Sequence, residues 1–306
     1  MSAPVQPDSL RASLRPLAAA QPLTAEQQAY QAFYQLNRLG VQTRLGCFQV
    51  AGYQIAVQLW LPEQPRATLI VQHGYYDHMG LYRHLIEWAL GMGFAVLACD
   101  LPGHGLSSGA RADIGEFGEY QLVLQALLAE ASALQLPAPW HLCGQSTGGA
   151  ILLDYRLRGD APPQLGETIL LAPLVRPRAW GWSQFSYRML KPFVKQIPRR
   201  FNANSNDAEF LQFVQSDPLQ PLSLPTAWVG ALARWVPRLE SAPRSTRRPL
   251  IVQGDADMTV DWRHNLQVLQ DKFAAPEVLL LESGKHHLVN EAPELRARYF
   301  DFLRER

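Results

Sequence analysis

The sequence predicts an α/β fold: a mostly parallel, eight-stranded sheet with helices on both faces and an inserted helical cap. Three observations predict it. From residue 67 onward, short and wholly apolar runs alternate with longer amphipathic stretches, the pattern of strands buried on both faces by crossover helices. An alternating apolar/polar stretch just before them reads as a hairpin. One interval of 77 residues, Pro173 to Pro249, then breaks the rhythm, where a βα connection needs far fewer.

Composition permits such a fold and excludes others. The 306 residues carry 28 Lys+Arg against 27 Asp+Glu, a formal net charge of +1, with 47% hydrophobic and 18% charged residues. That balance allows a large core, excludes disorder throughout, and gives no global attraction to nucleic acid. We divide the chain into an N-terminal extension with one helix (1–43), a core (44–172 and 250–306) and a cap (173–249). The cysteines, Cys47, Cys99 and Cys143, are too few and scattered for a disulfide framework. They read as buried apolar residues in a reduced, cytoplasmic setting. The segment Pro16–Pro22 is too short and proline-broken for a signal-peptide core. No apolar run approaches the ~20 residues of a membrane span, so a soluble protein is expected.

Taken in order, residues 1–23 are rich in Pro and Ala and are expected to be loosely held. Thr24 and Gln27 form a capping-box pattern that opens a helix carrying Tyr30, Phe33, Tyr34 and Leu36, closed by Gly40. Residues 47–50 and 53–61 alternate about Ala51-Gly52, which predicts the hairpin. Strands follow at 67–72, 95–99, 140–143, 168–171, 250–253 and 278–281. Helices are expected at 81–92, 116–134, 148–158, 261–273 and 291–303. The interrupting interval holds 10 of the 23 prolines and four of the eight tryptophans, and we read it as the cap.

The chemistry enters at the third of the apolar runs. Trp140-His141-Leu142-Cys143 leads into Gly144-Gln145-Ser146-Thr147-Gly148-Gly149 and then a helical stretch. This is G-x-S-x-G in the strand–turn–helix context that gives it meaning. The turn strains the backbone at Ser146, lifts its hydroxyl clear of the sheet, and sets the Thr147 N–H at a helix N-terminus for a developing oxyanion. A serine nucleophile needs a base, and the base needs an orienting acid. Candidates occur in the order this architecture requires. Asp255 and Asp257 follow one strand; His286 and His287 follow the last. All sit at carboxyl ends of strands, where ligands collect in open α/β sheets. The Tyr75 N–H, after the strand ending at Gln72, is the candidate second oxyanion donor. His73, His78 and His84 with Asp77 lack metalloprotease spacing, and no metal is expected.

These stretches resemble the α/β-hydrolases of the monoacylglycerol lipase and lysophospholipase group, the serine aminopeptidase-like hydrolases, over roughly residues 45–305. The resemblance rests on His73-Gly74-Tyr75-Tyr76-Asp77-His78, Asp100-Leu101-Pro102-Gly103-His104-Gly105-Leu106-Ser107, the elbow at Ser146, Gly254-Asp255-Ala256-Asp257, Gly284-Lys285-His286-His287, and Asp217-Pro218-Leu219 in the cap. It implies an α/β-hydrolase fold, no cofactor, and a triad of Ser146, Asp257 and His287, the base falling three residues after Gly284. Asp255 and His286 then become a loop carboxylate and a packing residue. The chain departs from the family's usual pattern at Gln145 and Thr147 beside the serine, at Asp77 in place of Glu, and at Leu81 in place of Arg.

The cap carries apolar stripes at helical spacing: Trp182, Phe185, Met189 and Phe193, then Trp228, Leu232 and Trp235. We expect Gln145, Trp182, Phe185, Met189 and Trp228 to line a pocket for an apolar, lipid-like ester. The cap holds 12 Lys+Arg against 4 Asp+Glu, a local balance of +8, leaving −7 for the rest. A cap poor in carboxylates disfavours an N-terminal aminopeptidase, which must hold an ammonium group. It favours phosphate headgroups or contact with an anionic lipid surface. The expected activity is hydrolysis of monoacylglycerols, lysophospholipids or medium-chain esters through an acyl-enzyme. The alternatives are an amide hydrolase of aminopeptidase type and a non-catalytic lipid-binding module on the same fold.

Overall fold

The computed structural model describes residues 5–19, 22–158 and 162–306. Eight strands form one sheet in the order β1-β2-β4-β3-β5-β6-β9-β10. They are β1 (Val41–Val50), β2 (Tyr53–Pro62), β3 (Ala67–Gln72), β4 (Phe94–Cys99), β5 (Trp140–Gln145), β6 (Leu165–Leu171), β9 (Leu250–Gly254) and β10 (Glu277–Leu281). β1 and β2 pair antiparallel about Ala51 and Gly52, whose φ angles of 51° and 82° give the turn the twist that a two-residue hairpin needs. β2 runs antiparallel to β4, and every later pairing is parallel.

Period-two alternation divides the core between the two faces of the sheet. Ile70, Leu97, Leu142 and Ile251 point to one side, into α4 (Phe117–Ala133), α5 (Thr147–Leu157) and α9 (Trp262–Lys272). Leu69, Val71, Val96 and Cys143 point to the other, into α3 (Arg83–Gly91) and α10 (Pro293–Arg304). All three cysteines are free and buried. No helix among the described residues is long and apolar enough to cross a membrane.

The N-terminal segment differs from expectation. It contains α1 (Pro7–Ser13) and a 3₁₀ turn (Leu17–Ala19) as well as α2 (Ala25–Phe33), which the Thr24–Gln27 capping box opens. Residues 5–19 are fixed rather than loose. Leu10, Leu14 and Leu17 are at most 5% exposed, and the Cys47 N–H donates to the Arg15 carbonyl at 2.8 Å. Leu10 and Leu14 pack into the core on one face of the sheet and Leu17 into the core on the other, and burying these side chains outweighs the prolines around them. The expectation for residues 1–4 and 20–21 lies outside the described residues.

Between β6 and β9 the chain leaves the sheet and forms α6 (Trp180–Leu190), a small antiparallel pair of β7 (Gln196–Pro198) with β8 (Ser223–Pro225), α7 (Ala208–Ser216) and α8 (Thr226–Glu240). α8 fastens to the body through Trp228, Leu232 and Trp235, all buried. The Trp235 ring stacks on Phe117 at 4.6 Å. The Arg176–Glu240 ion pair ties the end of α8 to the chain just after β6.

Candidate active site

The turn from β5 into α5 is the strained elbow its glycines imply. Ser146 sits at φ 52°, ψ −110°, a conformation that a non-glycine residue holds only when its surroundings over-determine it. They do so here. The Ser146 N–H donates to the Leu171 carbonyl at 2.9 Å and its carbonyl accepts from Leu174 and Ala150. A Cβ on Gly144 would lie 2.4 Å from the Gly148 carbonyl carbon, and one on Gly148 would lie 2.0 Å from the Gln72 carbonyl oxygen. Both glycines are therefore demanded by close backbone approach.

The histidine facing the serine is His286. Its Nε2 lies 2.9 Å from Ser146 Oγ and its Nδ1 lies 2.7 Å from Asp257 Oδ2. Asp257 also accepts from the N–H groups of Thr259 (2.8 Å) and Val260 (3.2 Å) and from Gln253 Nε2 (3.1 Å). Burial alone would raise the Asp257 carboxyl. The facing His286 and the Thr259 and Val260 N–H groups outweigh it and hold the carboxyl below the usual range. With the imidazole proton on Nδ1, directed at Asp257, Nε2 is left to accept from the serine hydroxyl.

This corrects the expectation for His287, and the loop explains why. A Cβ on Gly254 would lie 2.2 Å from the Gly284 carbonyl oxygen, so the loops after β9 and β10 touch backbone to backbone. The Ser283 N–H donates to Asp255 Oδ1 at 2.7 Å, the Ala256 N–H to the Gly284 carbonyl, and the Lys285 N–H to Glu291. With the loop pinned this tightly, the residue turned toward Ser146 is two past Gly284, not three. The Gln145 side chain donates to the His286 carbonyl at 2.8 Å and secures it. His287 faces away, its N–H on the Asn204 carbonyl, its ring against Phe210 and its Nε2 3.0 Å from Asp77 Oδ1. Asp255, which the family resemblance made a loop carboxylate, accepts the Ser283 N–H and takes no part in the contact with His286.

His287 and Asp77 form a second buried histidine–carboxylate pair beside the first. Burial pushes the Asp77 carboxyl up, but His287 and the Tyr82 hydroxyl pull it well below the ordinary carboxylate range. Tyr82 also receives the Gly74 N–H at 2.9 Å, bracing the loop after β3. His73 stitches that loop to the next: its Nδ1 donates to the Gly74 carbonyl while its Nε2 accepts from the Leu101 N–H. Burial keeps its pKa low, as a neutral ring in that role requires. The Asp100-to-Ser107 motif is a brace of the same kind. Asp100 accepts from the Met79 and Leu106 N–H groups at 2.7 Å each, and a Cβ on Gly105 would lie 2.1 Å from its Oδ2.

A third buried pair joins distant parts of the chain. His78 Nε2 lies 2.8 Å from Asp217 Oδ2, and the Tyr34 hydroxyl donates to Asp217 Oδ1 at 2.6 Å. Extension, core and cap thus meet on one carboxylate.

Above Ser146 lies a cavity of about 480 Å³. Tyr75, Thr147, Gln145, Trp182 and Trp228 line it, along with His286 and His287. Trp228 stacks on Tyr75 at 3.9 Å and donates to the Tyr120 hydroxyl. Phe185 and Met189, expected in the lining, are not in it. They are 55% and 60% exposed, because α6 turns Trp182, Ser183, Ser186, Tyr187 and Leu190 toward the cavity and Phe185 and Met189 outward.

The sheet order, the strained serine turn and the cap over it define an α/β-hydrolase. The family model for the serine aminopeptidases, S33, matches residues 63–293, and the chain belongs to that family. It is similar to the monoacylglycerol lipase of Mycolicibacterium smegmatis (28% identity over 258 residues, 80% of this chain and 90% of that protein). It is also similar to the monoglyceride lipase of Mus musculus (27% identity, 80% of this chain and 83% of that protein). The solved structure of a soluble variant of monoglyceride lipase from Saccharomyces cerevisiae, in complex with a substrate analogue, superposes with a TM-score of 0.72 at 18% identity, covering 88% of this chain and 95% of that one. These likenesses bear out the resemblance to the monoacylglycerol lipase and lysophospholipase group.

Proposed function

We propose that this chain, a carboxylic-ester hydrolase of the α/β-hydrolase fold, cleaves monoacylglycerols and related single-chain lipid esters through an acyl-enzyme. The observation that carries the reading is the Ser146–His286–Asp257 relay opening into a largely apolar cavity. Ser146 Oγ attacks the ester carbonyl carbon as His286 Nε2 takes its proton. The oxyanion is received by the Tyr75 and Thr147 N–H groups, both lining the cavity and without a hydrogen bond among the described residues. The ester C–O bond breaks, His286 returns the proton to the departing alkoxide, and water, activated by the same imidazole, releases the fatty acid. The names of the relatives support a monoacylglycerol substrate. Among the described residues lining the cavity, the one carboxylate is Asp77, engaged by His287, so nothing there holds the ammonium group of an aminopeptidase substrate.

Ser146→Ala is expected to abolish fatty-acid release from 1-monooleoylglycerol and labelling by a fluorophosphonate probe. Faster turnover of proline β-naphthylamide than of any ester by the unaltered protein would refute the ester reading.

The outer face of the cap supports contact with an anionic lipid surface. Phe185, Met189 and Phe193, with Trp182 at the cavity's rim, are 55–85% exposed, apolar side chains of the kind that mark an interaction site. Arg188, Lys191, Lys195 and Arg200 flank it, and no Asp or Glu occurs from residue 168 to 206. Cosedimentation is expected with vesicles containing phosphatidylglycerol, weakening with salt. At about 1 kcal/mol per cation reversed or removed near the surface, the double substitution K191E/K195E is expected to cut binding roughly tenfold or more. Equal binding to pure phosphatidylcholine vesicles would sink this contact.

A further inference from the structure

We propose that Arg199 is the subsite for a phosphate group on the alcohol moiety of the substrate, so that the esters preferred are monoacylglycerol phosphates and kindred lysophospholipids. The inference rests on the esterase reading above and names its substrate class.

Arg199 follows β7 and lines the cavity above Ser146. Its N–H donates to the Leu222 carbonyl at 2.9 Å, which fixes its backbone. The guanidinium lies 4.1 Å from the Tyr76 ring centroid and 4.4 Å from that of Phe201, so aromatic faces hold its plane. Nη1 donates to Gln220 Oε1 (2.5 Å) and to the Pro221 carbonyl (3.2 Å). Nε and Nη2 make no hydrogen bond among the described residues, and neither is a closed-off orphan. No described carboxylate lies within ion-pair distance. The two that act on it at longer range are already engaged, Asp77 by His287 and Asp217 by His78 and Tyr34.

A half-buried guanidinium beside two aromatic rings in the lining of a substrate cavity, with two nitrogens lacking a hydrogen bond among the described residues, is built to meet an anion. Its planar fork matches the oxygens of a phosphate. The anion belongs to the alcohol side of the ester, because a fatty acyl chain carries no charge. The position suits this. Tyr76, on which Arg199 lies, adjoins Tyr75 in the loop that passes over the serine, where a Cβ on Gly74 would lie 3.5 Å from Ser146 Cβ.

The test compares kcat/KM for 1-hexanoylglycerol and 1-hexanoylglycerol 3-phosphate, both monomeric in solution so that attraction to a charged surface plays no part. The unaltered protein is expected to prefer the phosphate ester. Arg199→Gln should lower kcat/KM for that ester about tenfold to hundredfold more than for the neutral one, as loss of a charge-assisted bond predicts, and Arg199→Lys should restore part of it. Inorganic phosphate should compete with the neutral ester, and that inhibition should vanish in R199Q. Inhibition that persists in R199Q, equal losses on both esters, or a preference for the neutral ester would each overturn the subsite. Failure of the unaltered protein to hydrolyse either ester would instead overturn the esterase reading beneath it.

Discussion

His286→Gln is expected to lower kcat for ester hydrolysis by about 10⁴-fold or more, while His287→Gln stays within about tenfold of the unaltered protein. The two residues are adjacent and both are buried in the cavity wall, so the contrast isolates geometry from environment. Glutamine at 286 cannot accept the Ser146 proton and pass it on, whichever way its amide turns. Glutamine at 287 still offers an N–H to Asp77, which spares that carboxylate the cost of standing buried and unpaired. The measurement is single-turnover release from p-nitrophenyl butyrate with both variants confirmed folded by circular dichroism. Inactive H287Q beside active H286Q would return the base to the position that the family spacing implied.

That reversal shows where sequence reading stops. The sheet was legible because buried strands are short apolar runs, and each run from Ala67–Gln72 to β10 lies where the pattern placed it. The elbow was legible because G-x-S-x-G is contained in five residues, Gly144 meeting the Gly148 backbone at 2.4 Å, even though Gly148 also answers to the distant Gln72 carbonyl on β3 at 2.0 Å. Choosing between His286 and His287 depends instead on how tightly the loop after β10 is pinned by Gly254 and Asp255, some thirty residues upstream. Spacing to Gly284 carries no record of that contact. The cap shows the same division. Periodicity found α6 and α8, but a stripe of Phe185 and Met189 looks alike whether it faces a cavity or solvent. The N-terminal error ran the other way: Leu10, Leu14 and Leu17 are buried anchors, but they sit in a short helix, an extended residue and a 3₁₀ turn, so no single periodicity marked them among the prolines. Arg199 had no signal at all, one cation among twelve in the cap until the fold placed Tyr76 and Phe201 on either side of it.

Asp217→Asn is expected to cost about 3–5 kcal/mol of stability near pH 5.5, the range for breaking a buried pair by removing one partner, and to lower Tm by roughly 6–15 °C for a chain of this size. The carboxylate receives four donors: the Tyr34 hydroxyl, His78 Nε2, the Leu219 N–H and Gln220 Nε2. An amide retains one oxygen for Tyr34 and Leu219 but turns a donor toward His78 and Gln220, leaving both without an acceptor. The loss should also depend on pH in a direction fixed by the two partners. Burial disfavours a charged His78, yet the facing Asp217 outweighs it and lifts its pKa above the ordinary 6.5. The stabilisation from that shift is complete below 6.5 and fades as pH rises through the folded value. For Asp217, burial raises the carboxyl, but His78, Tyr34 and the Leu219 N–H bring it down from 3.8 to about 2. Its contribution is complete above 3.8 and lost as pH falls toward 2. The Tm difference between the two proteins should therefore be widest between about pH 4 and 6.5 and narrow on both sides, and a difference that stays constant from pH 3 to pH 9 would rule out the ionised pair. Tyr34→Phe removes one hydrogen bond to the same carboxylate without breaking the pair, so it should cost only about 1–3 kcal/mol and leave the pH dependence in place. Because Gln220 joins Asp217 to Arg199, D217N should also slacken the Arg199 side of the cavity, whereas Y34F should not.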